Sequence, residues 1–179
     1  MTTLDHASAL TVATPHALST ERIAERALRV ARRTAYGVLG DAEAAADIAQ
    51  DVAITAVRRS GSLRDPAALD AWLHRIAVRA ALREARRADR RRAAERAGHD
   101  PSPSADDPSL TGAVALLGGL PPRQRAALTL RYVHDLPDAA IARALRCRPG
   151  TVRSLLSRGR EAVRAAMQED DHGSRHADH

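Results

Sequence analysis

The sequence predicts an all-α protein made of two small helical domains joined by a flexible linker, the second containing a helix-turn-helix. Three observations carry this. Of 179 residues, 39 are alanine and all 28 basic residues are arginine, both strong helix formers. Phenylalanine is absent and only Tyr36, Trp72 and Tyr132 are aromatic, so residues that favour strands are scarce and never alternate for long. Near the C-terminus a short apolar-periodic segment, a tight turn and a longer amphipathic segment follow one another, the order of a helix-turn-helix.

Residues 1–20 read as a disordered tail. Ile23, Ala27, Val30, Thr34 and Val38 then recur at helical spacing, after the cap candidates Ser19 and Thr20 and before a stop at Gly40, which predicts a helix over 21–39. Asp41 is placed to cap a second helix, whose stripe of Ile48, Ala49, Val52, Ala56 and Val57 ends at Ser60-Gly61-Ser62. After a loop through Arg64, Asp65 and Pro66, a third helix begins near Ala67. It turns Leu69, Leu73, Ile76, Ala77 and Ala80 inward and continues as the charged stretch Arg83 to Arg92. These elements make a first domain over 21–97.

Gly98 to Ser109 is rich in breakers and acids, so 98–111 reads as an acidic Pro/Ser linker; if disordered, its residues span about 20 Å on average. The second domain covers 112–168. Its apolar segment Leu110 to Leu117 overlaps the linker's end and closes at Gly118-Gly119. Pro121 and Pro122 start a helix running toward His134, which Asp135-Leu136-Pro137 breaks. A short helix with Ile141, Ala142 and Leu145 on one face follows, then the turn Arg146-Cys147-Arg148-Pro149. In the last helix Val152, Leu156, Gly159 and Val163 share one stripe. Residues 169–179 read as a frayed acidic, histidine-bearing tail.

A net charge of +6 and a pI near 10.9 call for an anionic partner, nucleic acid ahead of a membrane surface. The excess is concentrated in two blocks, with 17 arginines against 12 acids in residues 1–97 and 10 against 3 in 120–168. No run approaches the roughly 18 apolar residues of a membrane span, so a cytoplasmic protein without direct membrane insertion is expected. The single cysteine, Cys147, excludes an internal disulfide and reads as a small packing residue of the turn. No glycine-rich phosphate loop, serine elbow or metal-spaced His/Cys cluster is present, which argues against an enzyme, a catalytic residue, a cofactor or a metal site. His172, His176 and His179 read as solvated tail residues.

Three faces carry chemistry. With Val152 and Leu156 inward, a rotation of about 100° per residue turns Thr151, Arg153, Ser154, Ser157, Arg158 and Glu161 outward, a set able to hydrogen-bond bases and phosphates in a groove. Arg79, Arg83, Arg86 and Arg90 form a basic stripe suited to a phosphate backbone, set against a bland alternative in which Glu84 pairs with Arg87 or Arg91 on a solvated helix end. On the second helix Glu43, Asp47, Gln50 and Ile54 share a face with Asp51 beside it. An acidic stripe on a basic protein fits a basic protein partner, against the alternative of an ordinary solvated half-helix.

The stretch DAEAAADIAQDV from Asp41 to Val52, AWLHRIA from Ala71 to Ala77 and the arginine-rich segment after it resemble bacterial RNA polymerase sigma factors of the extracytoplasmic-function class. LPPRQR from Leu120 to Arg125, LRY from Leu130 to Tyr132, Ile141-Ala142, GTVRS from Gly150 to Ser154 and LSRG from Leu156 to Gly159 resemble the promoter-reading helix-turn-helix of that class. The resemblance covers residues 21–97, similar to sigma region 2, and 112–168, similar to region 4. It implies a factor that binds core RNA polymerase, directs it to promoters and assists their opening.

By the same resemblance, Asp47, Gln50 and Asp51 dock on the clamp coiled coil of the polymerase, and the flap offers a second contact. The loop 60–70 with Trp72, His74, Arg75, Arg79 and Arg83 engages the minus-ten element, and Thr151, Arg153, Ser154 and Arg158 read the minus-thirty-five element. An anti-sigma factor is an implied partner, able to hold the protein at a membrane. The other class of reading is a stand-alone helix-turn-helix regulator whose N-terminal domain dimerises or senses a signal. Two departures from the family pattern stand out: arginines occupy turn positions 146 and 148, where glycine and serine are usual, and the region around the loop has few aromatics beyond Trp72.

Overall fold

The computed structural model describes residues 19–63, 65–95 and 116–176. The expected tail 1–20 apart from Ser19 and Thr20, Arg64 of the loop, the linker 98–111, most of the segment Leu110 to Leu117 and the last three residues lie outside the described residues. Within them six α-helices account for the fold: α1 Thr20–Leu39, α2 Ala42–Arg59, α3 Leu69–Glu95, α4 Pro122–Tyr132, α5 Asp138–Leu145 and α6 Pro149–His176. Two 3-10 turns, Ser60–Ser62 and Pro66–Ala68, connect α2 to α3.

Side-chain oxygens fix the helix starts. Ser19 Oγ accepts from the Arg22 N–H at 3.3 Å, and Asp41 Oδ1 accepts from the Ala44 N–H at 2.9 Å. Asp65 Oδ1 accepts from the Ala67 N–H at 2.9 Å and so shapes the turn that leads into α3. Gly40 ends α1 in the left-handed conformation, φ 73°, with its N–H bonded to the Tyr36 carbonyl. The third helix therefore starts two residues later than the sequence pattern suggests, because Pro66 begins a 3-10 turn first. The last helix runs to His176, beyond the expected frayed tail at 169. Ala165, Ala166, Met167, Gln168 and Glu169 are strong helix formers and the next glycine is Gly173.

The inward stripes pack as their periodicity requires. In the first domain α1 lies against α2 and α3 over buried Ile23, Ala27, Ala31, Val38, Ala45, Ile48, Val52, Leu73, Ala77 and Ala81. A bidentate Arg26–Asp70 pair, with Nε to Oδ1 at 2.8 Å and Nη2 to Oδ2 at 2.6 Å, ties α1 to the first turn of α3. In the second domain α4 packs on α5 and α6 around Leu128, Leu130, Ile141, Leu145, Val152 and Leu156. Gly159 lets α6 come so close to α4 that a Cβ there would sit 2.9 Å from Leu128 Cδ1.

The two domains are in contact. Helix α1 meets α4, and α3 meets both α4 and α5, so the second domain sits across the α1/α3 face of the first. Leu73 is one of the largest fully buried side chains. Leu73→Ala is expected to lower unfolding stability by about 2–5 kcal/mol, measured by urea denaturation followed by circular dichroism.

Candidate nucleic-acid and partner interfaces

The acidic face of α2 is open. Glu43, Asp47, Gln50 and Asp51 are all exposed, and Ile54 beside them is 52% exposed, unusual for so apolar a side chain. Among the described residues none of these three carboxylates forms an ion pair or side-chain hydrogen bond, although Arg58 and Arg59 lie on the same helix. The face thus combines unneutralised negative charge with an apolar centre, the composition expected of a surface that meets a basic protein.

The stripe on α3 divides in two. Glu84 takes both Arg87, at 3.6 Å, and Arg91, at 2.9 Å, and Asp89 takes Arg92. The internal pairs that the bland reading invoked therefore form, and they leave Arg83, Arg86 and Arg90 exposed with no carboxylate partner among the described residues. The free arginines lie on one side of the helix, as their spacing requires.

Nearer the start of α3 the sequence expectation needs correction. Trp72 is half-buried against the core, Arg75 is half-buried, and His74 is only 7% exposed. In this arrangement His74 cannot touch DNA, because the second domain covers it. Its ring meets that of His134 edge-on with centroids 4.5 Å apart. Arg79 is partly covered as well. Its Nε is buried without a partner, and burial together with Arg146 and Arg75 holds its pKa below the usual value. Only Arg83 of the expected minus-ten set stands fully exposed.

The covering contact has a defined hydrogen-bond order. The hydroxyl of Thr34 donates to the Val30 carbonyl at 2.7 Å, so toward His134 Nε2, 2.9 Å away, it acts as acceptor. That makes neutral His134 the Nε2–H tautomer. Burial first, then the nearby His74 and Arg33, push the His134 pKa down to about 4 against the pull of Asp70. Burial likewise lowers the pKa of His74, whose Nδ1 is buried without a partner. Sequence periodicity does not mark this junction, since Thr34 counts there as one more inward position and His134 as a helix end.

The helix-turn-helix is held from outside as well as by its own core. Arg123 Nη2 donates to the last carbonyl of α5, Leu145, at 3.1 Å, and Arg131 pairs with Asp138 in the first turn of α5. Between α5 and α6 the chain turns through Arg146 in the left-handed conformation, φ 51° and ψ 56°. Thr151, Arg153, Ser154, Ser157 and Arg158 project outward while Val152 and Leu156 are buried, the register that the stripe requires. Ser154 Oγ is bonded back to the Gly150 carbonyl at 3.2 Å, whereas Arg153 and Arg158 form no side-chain bond among the described residues. Cys147 is half-buried in the turn, with its N–H on the Ala142 carbonyl.

Residues 23–91 match the family described as Sigma-70 region 2, and residues 113–163 match Sigma-70, region 4. The chain is 34% identical over 145 residues to the RNA polymerase sigma-H factor of Pseudomonas aeruginosa, covering 72% of this chain and 75% of that one. It is 36% identical over 143 residues to the ECF RNA polymerase sigma factor SigE of Mycolicibacterium smegmatis, covering 74% of this chain and 55% of the relative. With SigM of Mycobacterium tuberculosis it shares 38% over 122 residues, 66% of this chain and 61% of the relative. The fold is similar to that of the sigma factor RpoE of Bartonella quintana, solved in complex with the anti-sigma factor NepR, with a TM-score of 0.70 at 23% identity over 83% of this chain and 96% of that one.

A left-handed backbone costs an L-residue with a Cβ roughly 1–2 kcal/mol, and glycine avoids that cost. Arg146→Gly is therefore expected to raise stability by about 1 kcal/mol. The urea midpoint moves up with an unchanged slope; an unchanged midpoint counts against strain at this turn.

Proposed function

The chain belongs to the extracytoplasmic-function class of RNA polymerase sigma factors and directs core polymerase to promoters, and from that premise we propose which surfaces do each part of the work. Asp47, Gln50 and Asp51, with Ile54 at their centre, dock on the basic coiled coil of the polymerase clamp. Arg83, with Arg86 and Arg90 behind it, follows the phosphate backbone at the minus-ten element, and Trp72 and Arg75 lie beside it. Thr151, Arg153, Ser154 and Arg158 read the minus-thirty-five element from the major groove.

One observation carries this assignment: among the described residues the exposed carboxylates of the α2 face and the exposed arginines Arg83, Arg86, Arg90, Arg153 and Arg158 form no ion pair, so surfaces of opposite sign are left unneutralised. Glu84, Asp89, Asp70 and Asp138 are all engaged by arginines, whereas Asp47 and Asp51 are not. Phosphate contacts supply affinity and orientation, base contacts supply selection, and the polymerase performs the chemistry. Docking on polymerase fixes the distance between the two domains, so the second DNA contact becomes effectively intramolecular and weak individual contacts suffice.

The match to region 2 over residues 23–91 favours this reading over a stand-alone regulator, whose first domain needs no polymerase-binding face. The related fold crystallised with an anti-sigma factor makes such an inhibitor a fitting partner for this chain too. Among the described residues no helix is long and apolar enough to cross a membrane, so attachment to a membrane would come through that partner.

Reversing the charge of the α2 face tests the docking assignment. The double variant Asp47→Arg with Gln50→Ala is expected to lose about 100-fold or more in affinity for core polymerase, since it sets like charges against each other. Unchanged retention in a pull-down with core enzyme sinks the assignment. For the second domain, Arg153→Ala is expected to reduce the slope of log affinity against log salt by about one unit if Arg153 clamps phosphate. A loss confined to particular promoter sequences assigns it to a base instead.

A further inference from the structure

The cleft where the two domains meet carries a charge that neither domain neutralises. Its volume of about 690 Å³ lies within the roughly 300–1,000 Å³ of small-ligand sites. Arg29 and Arg33 face it from α1, Arg75 from α3 and Arg143 from α5, and none of the four forms an ion pair among the described residues. Arg26 and Asp70 line it too but are taken by each other. Asp135, in the loop after α4, is then the one carboxylate left to face four guanidinium groups among the described residues.

The excess of positive charge is felt by the neighbouring groups. Arg29 and Arg33 stand four residues apart on one face of α1, a spacing at which like charges repel. Burial first, then His74 and Arg33, hold the His134 pKa at about 4. Burial first, then Arg146 and Arg75, lower that of Arg79, one turn on from Arg75 along α3. An anion shared by the arginines of the cleft would relieve this repulsion.

Much of the remaining lining is apolar. Val30 and Ala71 belong to it from the first domain and Val133, Leu136, Ala140 and Ala144 from the second, with the edge-on rings of His74 and His134 among them. His74 is more than nine-tenths buried there and keeps Nδ1 without a hydrogen-bond partner. A ligand suited to this space has two parts, a ring that lies on the apolar wall and an anionic part that meets arginines from three helices.

We infer that the cleft is a binding site for a nucleotide carrying two or more phosphates, held by Arg29, Arg33, Arg75 and Arg143, with its base on the apolar wall beside His134. Guanidinium forks match phosphate oxygens bidentately, and four of them from three helices fit a chain of phosphates better than a single carboxylate. A base supplies a planar ring for the wall and polar edges for the histidines. Arg143 belongs to the second domain and the other three arginines to the first, so the bound phosphates bridge the two.

Isothermal titration calorimetry of the full-length chain with ATP and with GTP, at about 0.15 M salt to screen long-range attraction, tests the site. At least one of the two is expected to bind at one site per chain. The free nucleoside, lacking phosphates, and inorganic tripolyphosphate, lacking a base, are each expected to bind about tenfold more weakly or worse. Arg29→Gln and Arg143→Gln, both at exposed positions, are each expected to weaken binding of that nucleotide about tenfold. Arg32→Gln removes the same charge from α1 outside the cleft and is expected to stay within about twofold of the parent. Binding of neither nucleotide, or equal weakening by all three substitutions, overturns the site. Loss with Arg29→Gln alone overturns its sharing between the domains. Tripolyphosphate that binds as tightly as the nucleotide assigns the arginines to inorganic polyphosphate and overturns the base contact. A single-stranded promoter fragment that loses as much affinity as the nucleotide in Arg143→Gln makes the cleft part of the DNA path and overturns a separate nucleotide site.

Discussion

The helices of this protein meet over alanine and glycine. Ala27, Ala31, Ala35, Ala45, Ala56, Ala77, Ala81, Ala126 and Ala127 are wholly buried, and Gly37 and Gly159 leave no room for a Cβ against the facing helix. With no phenylalanine available, cohesion comes from short distances between helix backbones, where many weak dispersion contacts add up, with a few large residues such as Leu73, Leu130 and Ile141 at the centres. Such contacts tolerate little added volume. Two closely set helices cannot accept an extra methylene without moving apart, and the crossing of α1 and α4, where Gly37 faces Thr129, is such a place.

Packing over small residues also frees the long side chains for the surface, and their charges are distributed unevenly. Arginine forks bind carboxylates wherever the fold needs tying: Arg26 to Asp70 between α1 and α3, Arg131 to Asp138 between α4 and α5, and Arg87 and Arg91 to Glu84 along α3. Exposed pairs of this kind contribute little to stability. Their larger effect is to define by subtraction what remains. Among the described residues Glu43, Asp47 and Asp51 stay without an ion pair together on the outer side of α2, as do Arg83, Arg86 and Arg90 on α3 and Arg153 and Arg158 on the outer face of α6. The electrostatic identity of each surface follows from which charges the fold does not use.

Much of this was legible in the sequence, and the reasons are local. Ser19, Gly40 and Asp41 announce helix ends through hydrogen bonds spanning three or four residues. Val152, Leu156 and Gly159 fix the register of the last helix, and with it the outward set from Thr151 to Arg158. The acidic face of α2 needed only helical geometry. What the sequence concealed is non-local. His74 enters the promoter set by resemblance alone, and its burial goes with a ring contact to His134, sixty residues away, which Thr34 of α1 holds by a hydrogen bond. No periodicity links three single residues on three elements. A faint signal existed in Gly37, since a glycine inside a helix costs about 1 kcal/mol relative to alanine and calls for a packing reason.

The scarcity of aromatics acquires a structural meaning from their positions. Tyr36 is buried in the first domain, Tyr132 is 62% exposed on the second, and Trp72 is half-turned into the core, so α3 offers one partly available ring. Stacking on an unpaired base contributes about 1–3 kcal/mol, and a surface with one such ring has little to offer an extruded strand. The guanidinium groups of Arg75, Arg79 and Arg83 are planar and can stack as well as pair with phosphate, but Arg75 and Arg79 are partly covered. Under the proposed assignment of α3 to the minus-ten element, Arg83 is the exposed member of the set, so this face offers contact with phosphate before it offers stacking.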